Sequence, residues 1–198
     1  DEHGILLVFD ECQTGMGRLG TWFGFQKIGI VPDAITSSKG LGAGFPVGAV
    51  VMDGSLVPDD GFQMQYFSSH QNEPFAGAIT SFVVQRIEND GLLSAVGERG
   101  VQLHAILEKL ERDSKQIFYA RGDGLLRGFD LEENAHTNKA SARGPRLTEI
   151  ALEEGLMLQH CNYGNTVRIL PNYLCTEAEI DEFGDKLKVA LSRLESEN

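Results

Sequence analysis

The chain has 198 residues, of which 41% are hydrophobic and 23% charged, enough for one large domain or one domain and part of another. Its formal net charge is −12, with 17 basic and 29 acidic residues, so nucleic acid and anionic membranes are not expected as partners. The three cysteines are odd in number and widely spaced. They fit a reducing, cytoplasmic compartment, and no Cys/His spacing predicts a metal site.

The first part of the chain is predicted to be an α/β segment covering residues 1–90. Its opening apolar run at residues 5–9 ends in Asp10 and is typical of a strand buried on both faces. The further elements expected here are a glycine-rich loop at 15–20, a short helix at 22–28, strands at 34–37 and 47–52, and a helix at 74–88.

The remaining residues, 91–198, are predicted to form a connecting helix and a smaller α+β domain. The expected elements are a helix at 93–115, strands at 117–119 and 125–131 around a turn at 121–124, a polar mobile loop at 132–144, a helix at 146–154, strands at 156–160 and 167–170, and a helix from 176 to about 194. In the first helix, the spacing predicts a buried side formed by Val101, Leu103, Leu107 and Leu110. The last helix begins with a capping-box pattern at Thr176 and Glu179.

The glycine-rich loop matches the G-x-G-x-x-G pattern of dinucleotide-binding folds at Gly15, Gly17 and Gly20. In those folds the first glycine follows the strand directly, and a helix then begins at the pyrophosphate. Here five residues, 10–14, separate strand and glycine, and the next strand ends in Ser-Ser-Lys instead of a ribose-binding acid. The context therefore argues against a nicotinamide cofactor.

Asp10 and Lys39 each follow a short apolar strand, which places both at the carboxyl edge of one sheet, where open α/β folds bind ligands. Pyridoxal 5′-phosphate (PLP) requires this pair of residue types. A lysine amine forms an imine with its aldehyde, and a carboxylate holds the proton on its ring nitrogen. From these residues alone, a turn-capping aspartate and a surface lysine remain an open alternative.

Several motifs in register resemble the class III (ω-type) PLP-dependent aminotransferases. They are Asp-Glu-x-x-Thr-Gly-x-Gly-Arg at 10–18, Pro-Asp at 32–33, and Ser-Lys-x-x-Gly-x-Gly with a proline at 38–46. The resemblance implies the α/β architecture of fold type I. It also implies amino-group transfer between an amino acid or amine and a keto acid, and a homodimer.

Carried over to this sequence, the resemblance assigns Asp10 to the ring nitrogen and Gln13 to the phenolic oxygen, and makes Lys39 the imine-forming lysine. It also implies a loop that reaches the phosphate of the neighbouring subunit through a hydroxyl, at Ser69 or failing it at Ser68. His70 is then expected in the substrate pocket, with an interface position as the alternative.

Arg168 lies in a predicted apolar strand, where an arginine is costly to bury unless it meets an anion. Its planar fork suits a carboxylate. The resemblance assigns it to the substrate carboxylate, and a structural salt bridge remains the alternative.

The resemblance spans only about the C-terminal half of the family's usual length. We therefore expect an incomplete pocket that is poorly active alone and pairs with an N-terminal half or with a second copy. Two other functions remain open: a decarboxylase of the 2,2-dialkylglycine type, since Ser-Ser-His at 68–70 is similar to that branch, and a non-catalytic interaction module.

Overall fold

The computed structural model describes residues 3–57, 69–133, 135 and 140–197, and the chain folds into two compact units, Asp1–Leu93 and Ser94–Asn198. The sequence predicts a division near residue 90. Assigning the units to a PLP-binding large domain and a small domain stays a prediction. Among the described residues, no helix has both the length and the apolar character that a membrane crossing requires.

The first unit contains a three-stranded sheet with the order β1 (Val8–Asp10), β2 (Ala34–Ser37) and β3 (Ala49–Met52). β1 and β2 are parallel, and β3 is antiparallel to β2. The predicted bounds of β2 are confirmed, while β3 begins two residues later than predicted. A short helix, α1 (Phe25–Ile28), connects β1 and β2.

A long helix, α2 (Pro74–Asn89), supports the segment that follows β2. Proline in the first turn suits a helix start, because the amide hydrogen it lacks has no partner within the helix. Val83 and Ile87 of this helix are buried together with Met16 and Leu41. Leu41 belongs to a short 3-10 helix, Lys39–Gly42. Its packing against α2 therefore fixes the backbone beside Lys39.

The prediction of a buried first strand is wrong. β1 has three residues, and the apolar side chains of residues 5–8 are exposed, at 74% for Ile5 and 58% for Val8, while Phe9 is half-buried. Two-sided burial requires elements packed over both faces of a strand. β1 is instead an edge strand that pairs with β2 alone within the described residues, and the core of the unit includes none of residues 5–8.

The second unit is built on a four-stranded antiparallel sheet. Its strands lie in the order β4 (Phe118–Asp123), β5 (Leu126–Asp130), β7 (Thr166–Ile169) and β6 (Gln159–Cys161). Three helices supply most of the rest of the core: α3 (Leu92–Asp113), α4 (Arg143–Glu153) and α5 (Glu177–Ser196). Phe129 and Val167, which lie opposite each other in the sheet, are fully buried among leucines of these helices.

The buried side of α3 is confirmed at Leu103, Leu107 and Leu110 and wrong at Val101, which is 71% exposed. Two residues correspond to about 200° of rotation around a helix, so Val101 and Leu103 point in nearly opposite directions. Val96 occupies the buried side instead, one heptad before Leu103.

The hairpin between β4 and β5 is held by a buried arginine. The turn lies at residues 124–125, whereas residues 121–123 of the predicted turn at 121–124 belong to β4. Arg127 donates hydrogen bonds to the carbonyl oxygens of Gly122, of Gly124 at 3.1 Å and of Gly100 in α3 at 3.0 Å. Burial lowers the pKa of its guanidinium, and the negative charge of Asp123 offsets part of this effect. Arg127 therefore fastens the hairpin to α3.

The predicted capping box at the start of α5 is confirmed. The Thr176 hydroxyl accepts a hydrogen bond from the Glu179 amide, and the Glu179 carboxylate accepts one from the Thr176 amide at 2.7 Å. Bonds from the amide and then the hydroxyl of Thr176 lower the pKa of Glu179.

We expect Thr176→Ala to lower the free energy of unfolding by about 1 kcal/mol, because an amide at the helix start loses its acceptor. Thr176→Ser, which keeps the hydroxyl, is the control, and urea unfolding followed by circular dichroism is the measurement. Since the folded pKa of Glu179 lies below its usual value, its contribution is present above that value and disappears as the pH falls through the folded pKa. The difference between the variants should therefore narrow in acid, and a pH-independent difference would contradict the capping-box account.

Candidate active site

The parallel pairing of β1 and β2 brings Asp10 and Lys39 to the same edge of the first sheet. Asp10 lies opposite Thr36, the third residue of β2, and Lys39 follows the last residue of β2 by two positions. Both side chains are exposed. The charge of Lys39 is one of the causes that lower the pKa of Asp10. The two residues therefore act on each other electrostatically.

Hydrogen bonds keep the Asp10 carboxylate ionised. Its Oδ1 accepts bonds from the Cys12 amide at 3.0 Å and from the Thr36 hydroxyl at 3.1 Å. The side chain of Cys12, then its amide, and then the side chain of Thr36 hold the pKa of Asp10 below its usual value. An anion at this position suits a cationic N–H partner.

The backbone at Lys39 is in the left-handed region, with φ at +46°. Such a conformation is uncommon for a residue other than glycine and persists only where surrounding structure enforces it. Ser38 before it is extended, and Leu41 and Gly42 after it are buried. At Gly42 a Cβ atom would lie 2.6 Å from Cγ1 of Val47. The strained backbone is thus held from its carboxyl side.

Glu11 is a buried site residue that the sequence analysis missed. Its side chain is 3% exposed and accepts hydrogen bonds from the amides of Gly24 at 2.9 Å and Phe25 at 2.8 Å, and from the Thr14 hydroxyl. Glu11 therefore anchors the glycine-rich loop and the start of α1, with Gln13 half-buried in the turn between them. The signal in the sequence was the acidic pair Asp10-Glu11 at the end of a strand. Because neighbouring side chains in a strand point to opposite faces, the two acids are expected to have different roles.

The glycine-rich loop does not have the geometry of a dinucleotide site. It turns back on itself, with the amide of Gly20 bonded to the carbonyl of Gly17 at 2.9 Å. The helix that follows in this described segment, α1, has only four residues. The loop is therefore a support for the end of β1.

The predicted phosphate loop precedes α2. Ser69 and His70 are exposed in a turn at residues 69–72, and Glu73 at the start of the helix makes no side-chain capping bond. Ser68, the other predicted hydroxyl, lies outside the described residues. Their assignment to phosphate and substrate stays a prediction.

Arg168 lies in the middle of β7 in the second unit, next to Gln159 of β6 and Gly128 of β5 in the sheet register. It is half-buried, and its Nη2 donates a hydrogen bond to Oε1 of Gln159 at 2.7 Å. Its Nε is buried without a hydrogen-bond partner, and it forms no ion pair with any described carboxylate. The described residues therefore offer no partner for the alternative of a structural salt bridge, and the assignment of Arg168 stays a prediction. Arg168 and Glu179 are the charged residues in the otherwise mostly apolar lining of a cavity of about 290 Å³.

Comparison with known proteins places this chain in a family. Residues 1–191 match the family model described as aminotransferase class-III. The chain belongs to the class III aminotransferases. This family depends on PLP.

The similar proteins are about twice as long as this chain. An acetylornithine aminotransferase from Prochlorococcus marinus is 35% identical over 195 residues, covering 96% of this chain and 44% of that protein. A leucine/methionine racemase from Thermococcus litoralis is 34% identical and covers 98% and 44%. An S-selective transaminase from Arthrobacter sp. superimposes with a TM-score of 0.88 at 30% identity, covering 100% of this chain and 46% of that one. The fold is therefore that of fold type I, and neither the decarboxylase nor the non-catalytic alternative is favoured.

The residues of the first unit fit PLP in their chemistry. An ionised carboxylate at Asp10 suits a protonated ring nitrogen, and the exposed amine of Lys39, on the same sheet edge, suits an aldehyde. The strained backbone at Lys39 is a further sign of a functional position.

We expect Glu11→Gln to destabilise the first unit locally by about 2 kcal/mol, since a glutamine side chain has one acceptor oxygen for two backbone amides. Hydrogen exchange should show faster exchange at the amides of Gly24 and Phe25, which bond to Glu11. Glu73→Gln, which changes an exposed carboxylate, is the control. Unchanged protection of these amides in Glu11→Gln would refute the anchoring role.

Proposed function

We propose that this chain carries the lysine and the ring-binding carboxylate of a PLP-dependent aminotransferase, which transfers an amino group between an amino acid or amine and a keto acid. The observation that carries the proposal is the parallel β1–β2 pair, which places Asp10 and Lys39 at one sheet edge. Membership of the class III family supports it. So do relatives named as acetylornithine aminotransferases and an S-selective transaminase.

When bound, PLP supplies an aldehyde and a protonated ring that withdraws electrons from a bond to be broken. In the proposed reaction, Nζ of Lys39 would hold the cofactor through its aldehyde carbon, and once displaced by the amino donor it would move the donor's Cα proton to that carbon. Asp10 holds the proton on the ring nitrogen. Gln13 donates a hydrogen bond to the phenolic oxygen.

Arg168 is proposed to bind the substrate carboxylate. The Nε hydrogen is unsatisfied by the described residues, and a carboxylate would supply its acceptor. The neutral Gln159 amide orients the guanidinium without cancelling its charge.

The complete site is proposed to need more polypeptide than these residues. Ser69 or Ser68 would reach the phosphate bound by a partner subunit in a homodimer, with His70 near the substrate, and an N-terminal half would complete the pocket. Exposed apolar side chains of the first unit, including Ile5, Val8 and Val51, support this proposal. We also propose residues 1–90 as part of the large domain, residues 91–198 as the connecting helix and small domain, and a cytoplasmic location.

Lys39 should be the lysine labelled when the chain is incubated with PLP and reduced with borohydride, alone or with an N-terminal half supplied. A visible absorption band before reduction and peptide mapping by mass spectrometry are the measurements. Lys39→Met should abolish the absorption band and the labelled peptide. Lys27→Met, which changes a lysine of α1, should leave the band and the label in place. Labelling elsewhere, or no band with the N-terminal half present, would contradict the proposal.

Arg168→Lys should raise the KM for a donor that carries a carboxylate by roughly tenfold or more, because the bidentate fork is lost. The kcat should change less, because the contact is made both in the bound substrate and in the transition state, so its loss mainly weakens binding. Steady-state kinetics in the full polypeptide are the measurement, with an amine lacking a carboxylate as the internal comparison. Arg146→Lys, at a surface ion pair with Glu197, is the matched control. Equal losses for both donors would exclude carboxylate binding by Arg168.

A further inference from the structure

Thr36 shares a face of the first sheet with Asp10. The two residues are register partners in the parallel β1–β2 ladder, and the Thr36 hydroxyl lies 3.1 Å from Oδ1 of Asp10. The Sγ atom of Cys12 lies 3.6 Å from the same hydroxyl oxygen. Three side chains thus form a continuous polar chain at the carboxyl end of β1.

The direction of the hydrogen bonds in this chain follows from the charge on Asp10. An ionised carboxylate only accepts hydrogen bonds, so the Thr36 hydroxyl hydrogen must point to Asp10. Its oxygen then accepts from the Cys12 thiol. The Cys12 amide also donates to Asp10, so both ends of the turn after β1 are tied to one carboxylate.

Both bonds to Asp10 end on the same oxygen. The Cys12 amide and the Thr36 hydroxyl meet at Oδ1, and neither uses Oδ2. The last torsion of an aspartate is otherwise broad, so an unbound carboxylate turns readily. Fixing Oδ1 at two points fixes the carboxylate plane and leaves Oδ2 to meet a donor from a ligand.

We propose that Thr36 is a positioning residue for Asp10, whose hydroxyl holds Oδ1 so that Oδ2 faces the ring nitrogen of the cofactor. This inference rests on the proposed function of Asp10. Thr36 itself does not touch the cofactor. Its role is to orient the carboxylate and to keep it ionised before the cofactor arrives.

The charged groups around Asp10 are consistent with this role. Lys39, which follows β2, is the cation whose charge lowers the pKa of Asp10, after the larger effects of Cys12 and Thr36. The neighbouring carboxylate of Glu11 is directed to the amides of Gly24 and Phe25. Cys12 is the neighbour in the turn whose amide donates to the anion, while its thiol lies against the Thr36 hydroxyl.

The first test measures the carboxylate without the cofactor. The chain is labelled with ¹³Cγ aspartate, the Asp10 signal is assigned with Asp10→Asn, and its pKa is measured by NMR. Thr36→Val, which removes the hydroxyl and keeps the branched shape, should raise the pKa of Asp10. Thr36→Ser, which restores the hydroxyl, should return it towards the native value. If Thr36→Val does not fold, Thr36→Ala serves as the second variant. An unchanged pKa in the folded variant would overturn the proposal.

The second test measures PLP affinity by the visible absorption band. Loss of one hydrogen bond should weaken binding by Thr36→Val about fivefold, with Thr36→Ser close to wild type. The pKa of Asp10 should be higher in Thr36→Val. On acidification, the PLP affinity of this variant should therefore begin to fall at a higher pH than the PLP affinity of wild type. Equal affinity and an equal pH profile in all three proteins would overturn the positioning role. Failure of wild-type protein to bind PLP at Lys39 would instead overturn the proposed function. The NMR titration would then still show whether the Thr36 hydroxyl lowers the pKa of Asp10.

Discussion

The parallel pairing of β1 with β2 is the constraint on which the candidate site depends. It spans three register pairs, from Val8 with Ala34 to Asp10 with Thr36. Because the strands run in the same direction, their carboxyl ends meet at one edge, and Asp10 and Lys39 lie there together. A slip of one residue would turn Asp10 to the opposite face, since side chains alternate along a strand. The same register places the Thr36 hydroxyl at Asp10.

The two units differ in how much core supports them. Within the described residues, the apolar core cluster of the first unit has four buried members, and that of the second has eighteen. Apolar burial is the main source of folding stability. The second unit therefore has the more self-sufficient core. The first unit carries the Asp10–Lys39 edge on a small core, with the apolar side chains of β3 also exposed.

Local patterns predicted most of the fold, and long-range packing explains what they missed. The bounds of β2, the helix at Pro74 and the capping box at Thr176 each depend on neighbouring residues, and each was predictable. The burial of residues 5–8 depends on which elements cover them, which no local pattern contains. Glu11 and Thr36 were missed for a related reason. Their roles come from hydrogen bonds to residues 13 and 26 positions away.

Arg168 is proposed to bind the substrate carboxylate, and that role bears on which bond at Cα is broken. An ionised Asp10 and the amine of Lys39, on one sheet edge, would serve any reaction in which a PLP ring withdraws electrons from a bond at Cα, and proteins similar to this chain are named as aminotransferases and as a racemase. The bond that breaks is the one held perpendicular to the ring. In the proposed site, the carboxylate contact sets that orientation. On that proposal, Arg168 and the Gln159 amide that holds its guanidinium select between reactions, while Asp10 and Lys39 supply the chemistry common to all of them.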